Sequence, residues 1–344
     1  MQKKTSTLRK LLRWLPGVLI SLIAIYAVLK FINPDDLKDA FSTVKPVFIL
    51  ILFGFDVLGL AVRGKAWQVI LGGQVTYKQA FFGICEGYFL NNILPFRAGE
   101  LGRSYFVGRS SGKGTFYVLS TIVIERGFDI LFAAAIVVAT LPYVIGMEWI
   151  KPIATVALLL VIAGFVLLFL VANNKEKVLG WTNKITKPSK IVNFLLPKIH
   201  NLVEGFSLLA KPAQFLLSFF WIGATWFTWT VVYFLSTNAV IPGAPFWWGA
   251  FVSGIMALGI AIPSAPSALG VYEASFVGAL AILGGASSTA LAYALIMHLV
   301  QFVVSAIFGF WGLLRERISF SQIFSGFDSS SIQPDTADKE SVEK

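Results

Sequence analysis

The chain has 344 residues, 56% hydrophobic and 13% charged, with a formal net charge of +10 and a mean hydropathy of +0.76. Soluble domains carry about a quarter charged residues, so this composition excludes a soluble fold; the length suits about eight spans of roughly 20 residues in one all-α polytopic bundle, with no room for an additional soluble catalytic domain. The basic residues sit mainly at the ends of apolar runs, where they set orientation and meet anionic inner-leaflet lipids, so no nucleic-acid partner is expected.

The first apolar run, Leu11 to Phe31, follows Lys3, Lys4, Arg9, Lys10 and Arg13 in the manner of a signal peptide. Its length and the lack of a small-residue cleavage pattern predict an uncleaved first helix that starts in the cytoplasm. A polar turn at Asn33 to Asp36 precedes a second helix from about Pro46 to Trp67, which places Asp56 and Arg63, seven residues apart, on one face. The next apolar stretch, Ala80 to Pro95, is short and holds Glu86, Asn91 and Asn92. Lys65 and Lys78 precede it and Arg97, Arg103, Arg109 and Lys113 follow, so both flanks read as cytoplasmic. A re-entrant segment that turns back at Leu94-Pro95 reconciles these flanks, because irregular backbone at membrane depth is tolerated when buried in protein or lining a wet cavity.

A long helix follows from about Thr115 to Val144, and Ile153 to Val171 returns to Lys175 and Lys177. The lysine-rich stretch up to Lys211, with Ile191, Val192, Phe194, Leu195 and Leu196, reads as amphipathic and surface-lying, interrupted at Pro188 and Pro197. Helices are predicted over about Pro212 to Val240 and Trp247 to Ile262, the latter broken by Pro263 to Gly270. Val271 to Leu283 is too short to span comfortably and is either a short tilted helix or half of a second broken element, and a last helix, about Thr289 to Leu314, stops at Arg315-Glu316-Arg317. Residues 1–318 are thus expected to form the membrane-embedded domain and 319–344 a disordered cytoplasmic tail, with both termini in the cytoplasm. Pro95, Gly99 and Glu100 are echoed by Pro266, Gly270 and Glu273, a pairing of interruptions that in transporters points to the substrate site.

The stretch from Asn91 to Ser104 concentrates polar groups where hydrocarbon is expected, which marks a functional site. Arg97, Glu100 and Arg103 are spaced by three, so on a helix from Gly99 onward Glu100 can orient Arg103 and leave Arg97 free. Arginine offers a planar fork for phosphate oxygens, and a helix start near Ala98 would add free amides and positive dipole. Asn91 and Asn92 are not needed for topology and join the candidate set. Glu125, Arg126 and Asp129 lie close to one helical stripe and either neutralise a buried network or face a substrate path. Glu273 pairs with an arginine of the first motif, meets a cationic headgroup, or caps the helix that starts near Val271. Asp56, and His298 with Gln301, are weaker candidates, a membrane histidine more often completing an interhelical hydrogen bond. There is no HExxH, GxSxG or P-loop, and with two histidines and one cysteine, Cys85, neither a zinc cluster nor an intrachain disulfide can be assembled; no cofactor or metal is expected.

NNILPFRAGELGRS (91–104), IERGFD (124–129) and PSAPSALGVYE (263–273), in that order, resemble the lysylphosphatidylglycerol synthase transmembrane region family, also described as flippase-like or UPF0104 membrane proteins. The resemblance runs from about Thr7 to Glu316. It implies a helical bundle that, in multidomain members, translocates aminoacylated phosphatidylglycerol made by a separate cytoplasmic domain. This chain ends about 30 residues after its last helix, so no synthase domain and no lysyltransferase activity are expected of it. Where the family has glycines after the second proline, Ser267, Ala268 and Leu269 stand here. The leading expectation is a flippase of the cytoplasmic membrane without an enzymatic role. Its substrate would be a phospholipid or polyprenyl-phosphate lipid, an aminoacylated one included, bound by Asn91, Asn92, Arg97, Glu100, Arg103, Glu125, Arg126, Asp129 and Glu273. The alternatives are a membrane enzyme acting on a polyprenyl or phospholipid phosphate, and a non-transporting accessory subunit of envelope lipid or glycan synthesis. Further partners would be a second copy of the chain or a separate lipid-synthesising enzyme.

Overall fold

The computed structural model describes residues 19–27, 30, 34–94, 97–145, 210–262 and 264–315, with scattered positions between 152 and 180. Residues 19–27 are helical within the expected first span. The amphipathic stretch before Lys211, the tail from 319 and the prolines Pro95 and Pro263 fall outside the described residues, and the Ile153 to Val171 helix is described only in part.

The ordered helices are α1 (Pro34–Thr43), α2 (Pro46–Ile70), α3 (Tyr77–Ile93), α4 (Gly99–Ser110), α5 (Thr115–Ile145), α6 (Pro212–Val240), α7 (Phe246–Ala261), α8 (Val271–Ile282) and α9 (Ser287–Arg315). Among them α2, α6 and α9 are long and apolar enough to cross a membrane. Helix α2 begins on Pro46, whose missing N–H would be unpaired there in any case. It ends at Leu71, followed by Gly72 and Gly73, both in the left-handed region with φ of 69°. A reciprocal capping box starts α3: Gln79 N donates to Thr76 Oγ1 at 3.2 Å and Thr76 N to Gln79 Oε1 at 2.9 Å.

At 17 and 12 residues, α3 and α4 reach about 25 and 18 Å, short of a hydrocarbon core about 30 Å thick. They fold back on one another as an antiparallel hairpin. Its open end is fastened by Gln79 Nε2 donating to Ser110 O at 3.3 Å, and Tyr77 Oη ties it to Ala61 O of α2 at 2.9 Å. Close approach depends on absent side chains: a Cβ on Gly87 would stand 2.9 Å from Arg103 Cδ, and one on Gly99 would collide with Gly87 O. The turn-back expected near Leu94 is therefore present, and Gly99–Ser110 is its returning limb.

A second hairpin, α7 and α8, is built from 16 and 12 residues around a break at 262–270. It opens toward the other end of the bundle. Gln214 Nε2 donates to Val69 O, so α6 begins beside the end of α2 and runs antiparallel to it. At the far end of α6, Gly285 packs against the Ile241 side chain and Gly249 against Phe234. The two hairpins thus enter from opposite ends and meet at their tips, where Arg97 NH2 donates to Ile260 O at 2.8 Å.

The order α2, hairpin, α5 is repeated as α6, hairpin, α9, with helices of 25, 17, 12 and 31 residues against 29, 16, 12 and 29. The packing is reciprocal: α9 lies along α3 of the first hairpin and α5 along α7 of the second, while α2 and α6 pack on each other. This is an inverted arrangement of two like halves, and it gives the proline and glycine echo of the sequence a structural counterpart.

Candidate functional site

The charges of α2, α4 and α5 converge in two layers. The inner layer is buried. Arg63, with a fully buried side chain, forks onto Asp129, NH1 to Oδ1 at 2.8 Å and NH2 to Oδ2 at 2.6 Å. Its NH2 also stands 2.5 Å from Glu125 Oε1. The other oxygen of Glu125, Oε2, accepts from Arg103 NH2 at 2.7 Å, and the Arg103 guanidinium lies 4.6 Å above the Trp67 ring. A carboxylate removed from water costs several kcal/mol unless compensated, and here Arg63 and Arg103 supply the close compensation for Glu125, with Arg126 NH2 a third cation 3.8 Å from Oε1. Trp67 is itself fixed by donating to Thr121 Oγ1 at 3.2 Å.

The outer layer faces a cavity of about 370 Å³ that reaches both hairpin tips. Arg126 places Nε 3.1 Å from Glu100 Oε1 and NH1 3.0 Å from Asp129 Oδ2, and Asp129 also accepts from Trp226 Nε1 at 3.2 Å. Arg97, 37% exposed, has among the described residues a single ion pair, at 4.0 Å, with Glu100. Its φ of 54° is left-handed, a conformation that costs a side-chain-bearing residue about 1–2 kcal/mol and is held by the surrounding tip contacts. Four arginines meet three carboxylates in the two layers together, so the cluster carries one excess positive charge, and Arg97 and Arg126 present it to the cavity. Asp56 lines the same cavity about 10 Å along α2 from Arg63.

The second wall is a chain of neutral and ionisable groups. Asn92 Nδ2 donates to Ser305 Oγ at 2.7 Å, and Ser267 Oγ donates to Asn92 Oδ1 at 3.2 Å. Ser267 Oγ also lies 2.8 Å from His298 Nε2, and His298 Nδ1 lies 2.5 Å from Glu273 Oε1. Tyr272 stacks on the imidazole with centroids 4.4 Å apart. Ser267 and Ala268 have φ of 61° and 56°, so the second tip, like the first, is held in a left-handed turn without glycine at those positions.

Of the residues expected to hold substrate, Asn91, Asn92, Arg97, Glu100, Arg126 and Asp129 line the cavity. Arg103, Glu125 and Glu273 do not; they stand behind it and fix the groups that do. Glu100 does not orient Arg103, because α4 turns Arg103 toward α5, where Glu125 takes it, and leaves Glu100 to Arg126. Nor is the first amide of α4 free for an anion: Gly99 N donates to Asn91 Oδ1 at 2.9 Å, which makes Asn91 a cap. Glu273 pairs with neither Arg97 nor Arg103; it caps α8 by accepting Gly270 N at 2.7 Å and binds His298. Arg63, Trp226 and Ser267 belong to the site and were not among the candidates. Arg63 lay at the end of an apolar run, where orientation alone accounts for a cation, although Asp56, Arg63 and Trp67 share a helical face.

A family described as the lysylphosphatidylglycerol synthase TM region matches residues 14–309. A UPF0104 membrane protein of Methanothermobacter thermautotrophicus is 22% identical over 182 residues, 49% of this chain and 54% of that protein. A UPF0104 membrane protein of Methanocaldococcus jannaschii is 24% identical over 177 residues, 49% of this chain and 52% of that protein. The chain spans about half the length of the curated relatives it matches.

Proposed function

Because the chain belongs to the lysylphosphatidylglycerol synthase TM region family, we propose that this integral membrane protein is a flippase that moves a phosphate-bearing lipid across the cytoplasmic membrane. The observation that carries this reading is the pair of cavity-facing arginines, Arg97 and Arg126, set where two hairpins from opposite ends meet. Arginine keeps its charge and offers paired donors to phosphate oxygens, so the headgroup is held there while the acyl chains stay in the bilayer. The remaining lining is mostly aromatic or uncharged, including Tyr88, Trp229, Tyr233 and Gln301, which suits the rest of a headgroup of either phospholipid or polyprenyl-phosphate type. The lysine and arginine flanks of α2, α4 and α9 orient the open end of the first hairpin, and both termini, toward the cytoplasm.

The test uses the full chain in liposomes of phosphatidylethanolamine and phosphatidylglycerol with a headgroup-labelled phosphatidylglycerol as probe. Dithionite reduction of the label exposed on the outer leaflet reports movement between leaflets. Wild type is expected to move the probe, and Arg97→Ala and Arg126→Gln to slow it at least ten-fold with the fold intact. Equal rates in wild type and Arg97→Ala would refute the assignment.

A further inference from the structure

We infer that His298 and Glu273 form a proton-binding site whose occupancy sets the contact between the two hairpin tips, and so couples proton movement to lipid movement; the coupling rests on the transport reading above. The inference follows from counting hydrogens in the Asn92, Ser267, His298, Glu273 chain. Ser305 Oγ donates its one hydrogen to Phe302 O at 2.9 Å, so toward Asn92 it accepts, and this fixes the Asn92 amide with Oδ1 facing Ser267. At the other end, Glu273 Oε2 is taken by Gly270 N and Oε1 faces His298 Nδ1, so Nδ1 carries a hydrogen whether the ring is neutral or charged. The proton that comes and goes is on Nε2.

Ser267 has one hydroxyl hydrogen and two neighbours that can take it, Asn92 Oδ1 at 3.2 Å and His298 Nε2 at 2.8 Å. With a neutral ring, Nε2 is an acceptor and draws the hydrogen, and Asn92 Oδ1 loses it. When a proton adds to the Nε2 lone pair, Nε2–H donates to Ser267 Oγ and the hydroxyl hydrogen is released to Asn92. Proton uptake therefore makes a hydrogen bond between the first hairpin and the second, and proton loss removes it, with no other group changing charge. Asn92 adjoins Asn91, the cap of α4, and the first turn of α4 carries Glu100 against Arg126. The proton site and the anion site are thus joined through one hairpin tip.

The pair stands apart from other charges of its half. Glu273 is the sole Asp, Glu, Lys or Arg between 212 and 314, so no neighbouring helix of the second half offers a permanent countercharge. Ionisable groups turned to the cavity around His298 are Tyr272 from α8, Tyr233 from α6, Asp56 from α2, Tyr88 from α3 and, beyond the tip, Arg97 and Glu100 with Arg126 and Asp129 of α5; α1, which also packs on α9, contributes none to the lining. Tyr272 stacks on the imidazole, and Glu273, behind the cavity wall, is bonded to it. A carboxylate and a histidine joined inside a membrane bundle, with the histidine on its cavity, is an arrangement found in proton relays.

The experiment reads the tips and the transport separately. Spin labels on Ile93→Cys and Leu269→Cys, both exposed, in a Cys85→Ala background report the tip-to-tip distance in the purified full chain between pH 8 and pH 5. The distance distribution is expected to shorten and narrow on acidification, and to lose that response in both His298→Gln and Ser267→Ala. An unchanged distribution in the parent, or the same response in both variants, overturns the site. In the liposomes described above, an imposed pH difference is expected to drive the labelled phosphatidylglycerol in one direction, up to a ten-fold leaflet ratio per pH unit for one proton per lipid. Probe movement indifferent to the gradient overturns the coupling. A pH response of the tips that survives in Arg97→Ala, where lipid movement is lost, supports the proton site independently of the anion site.

Discussion

Replacing Glu125 by glutamine removes the one carboxylate that serves Arg103. Its side chain is wholly buried, with Arg63 at 2.5 Å and Arg103 at 2.7 Å. Arg63 keeps both oxygens of Asp129, whereas Arg103, 1% exposed, keeps the Trp67 face and, among the described residues, no other carboxylate. Leaving one member of a buried pair uncompensated costs about 3–5 kcal/mol, against about 0.5–2 kcal/mol for the remaining cation–π contact. At roughly 2 cal/mol/K of unfolding entropy per residue, that loss lowers the thermal midpoint of a chain of this size by about 4–7 °C. Fluorescence-detected melting in detergent measures it. Adding Arg103→Met to Glu125→Gln is expected to restore most of the loss, since a buried pair exchanged together for apolar or neutral groups is near neutral. A midpoint for Glu125→Gln within a degree of wild type, or a double variant worse than the single one, would refute the division into a buried inner layer and a working outer layer.

Two further outcomes test the frame. Gly99→Ala places a Cβ against Gly87 O and 2.7 Å from Asn91 Oδ1, so the hairpin must part; overpacking of about 1–3 kcal/mol is expected in the same melting assay. Cysteines at Lys113 and Ala286, both exposed, lie beyond the open ends of the first and second hairpins. In spheroplasts and inverted vesicles an impermeant maleimide is expected to label them from opposite sides, Lys113→Cys from the cytoplasm; labelling from one side alone would refute the opposed entry.

Much of the frame was legible because bilayer physics writes it plainly. Long apolar runs and their Lys and Arg flanks located α2, α6 and α9 to within three residues, and the matching cationic flanks of Ala80 to Pro95 required the chain to turn back. The paired proline, glycine and glutamate at 95–100 and 266–273 marked the two interruptions, though not that the hairpins they belong to enter from opposite ends. What could not be read was which charge meets which. Arg63 and Asp129 are 66 residues apart, and Asn92 and Ser267 are 175 apart. Helical spacing governs only neighbours on one helix, so it offered Glu100 to Arg103 when the true partner was on α5. It found Arg126 with Asp129, which is such a neighbour pair. Ser267 was hidden for another reason: a serine in a left-handed turn has no signature until the backbone is seen.

The seven charged members of the cluster all lie between Arg63 and Asp129. From Pro212 to Leu314 the chain offers a single charged residue, Glu273. During synthesis, therefore, everything needed to neutralise Glu125, Arg126 and Asp129 has left the ribosome once α5 has. Each of these charges alone would cost a helix about 3 kcal/mol to leave the translocon for lipid, a cost that falls once α2 and α4 close on α5 and neutralise them. The second half can then partition helix by helix into the bilayer against a finished, neutralised partner.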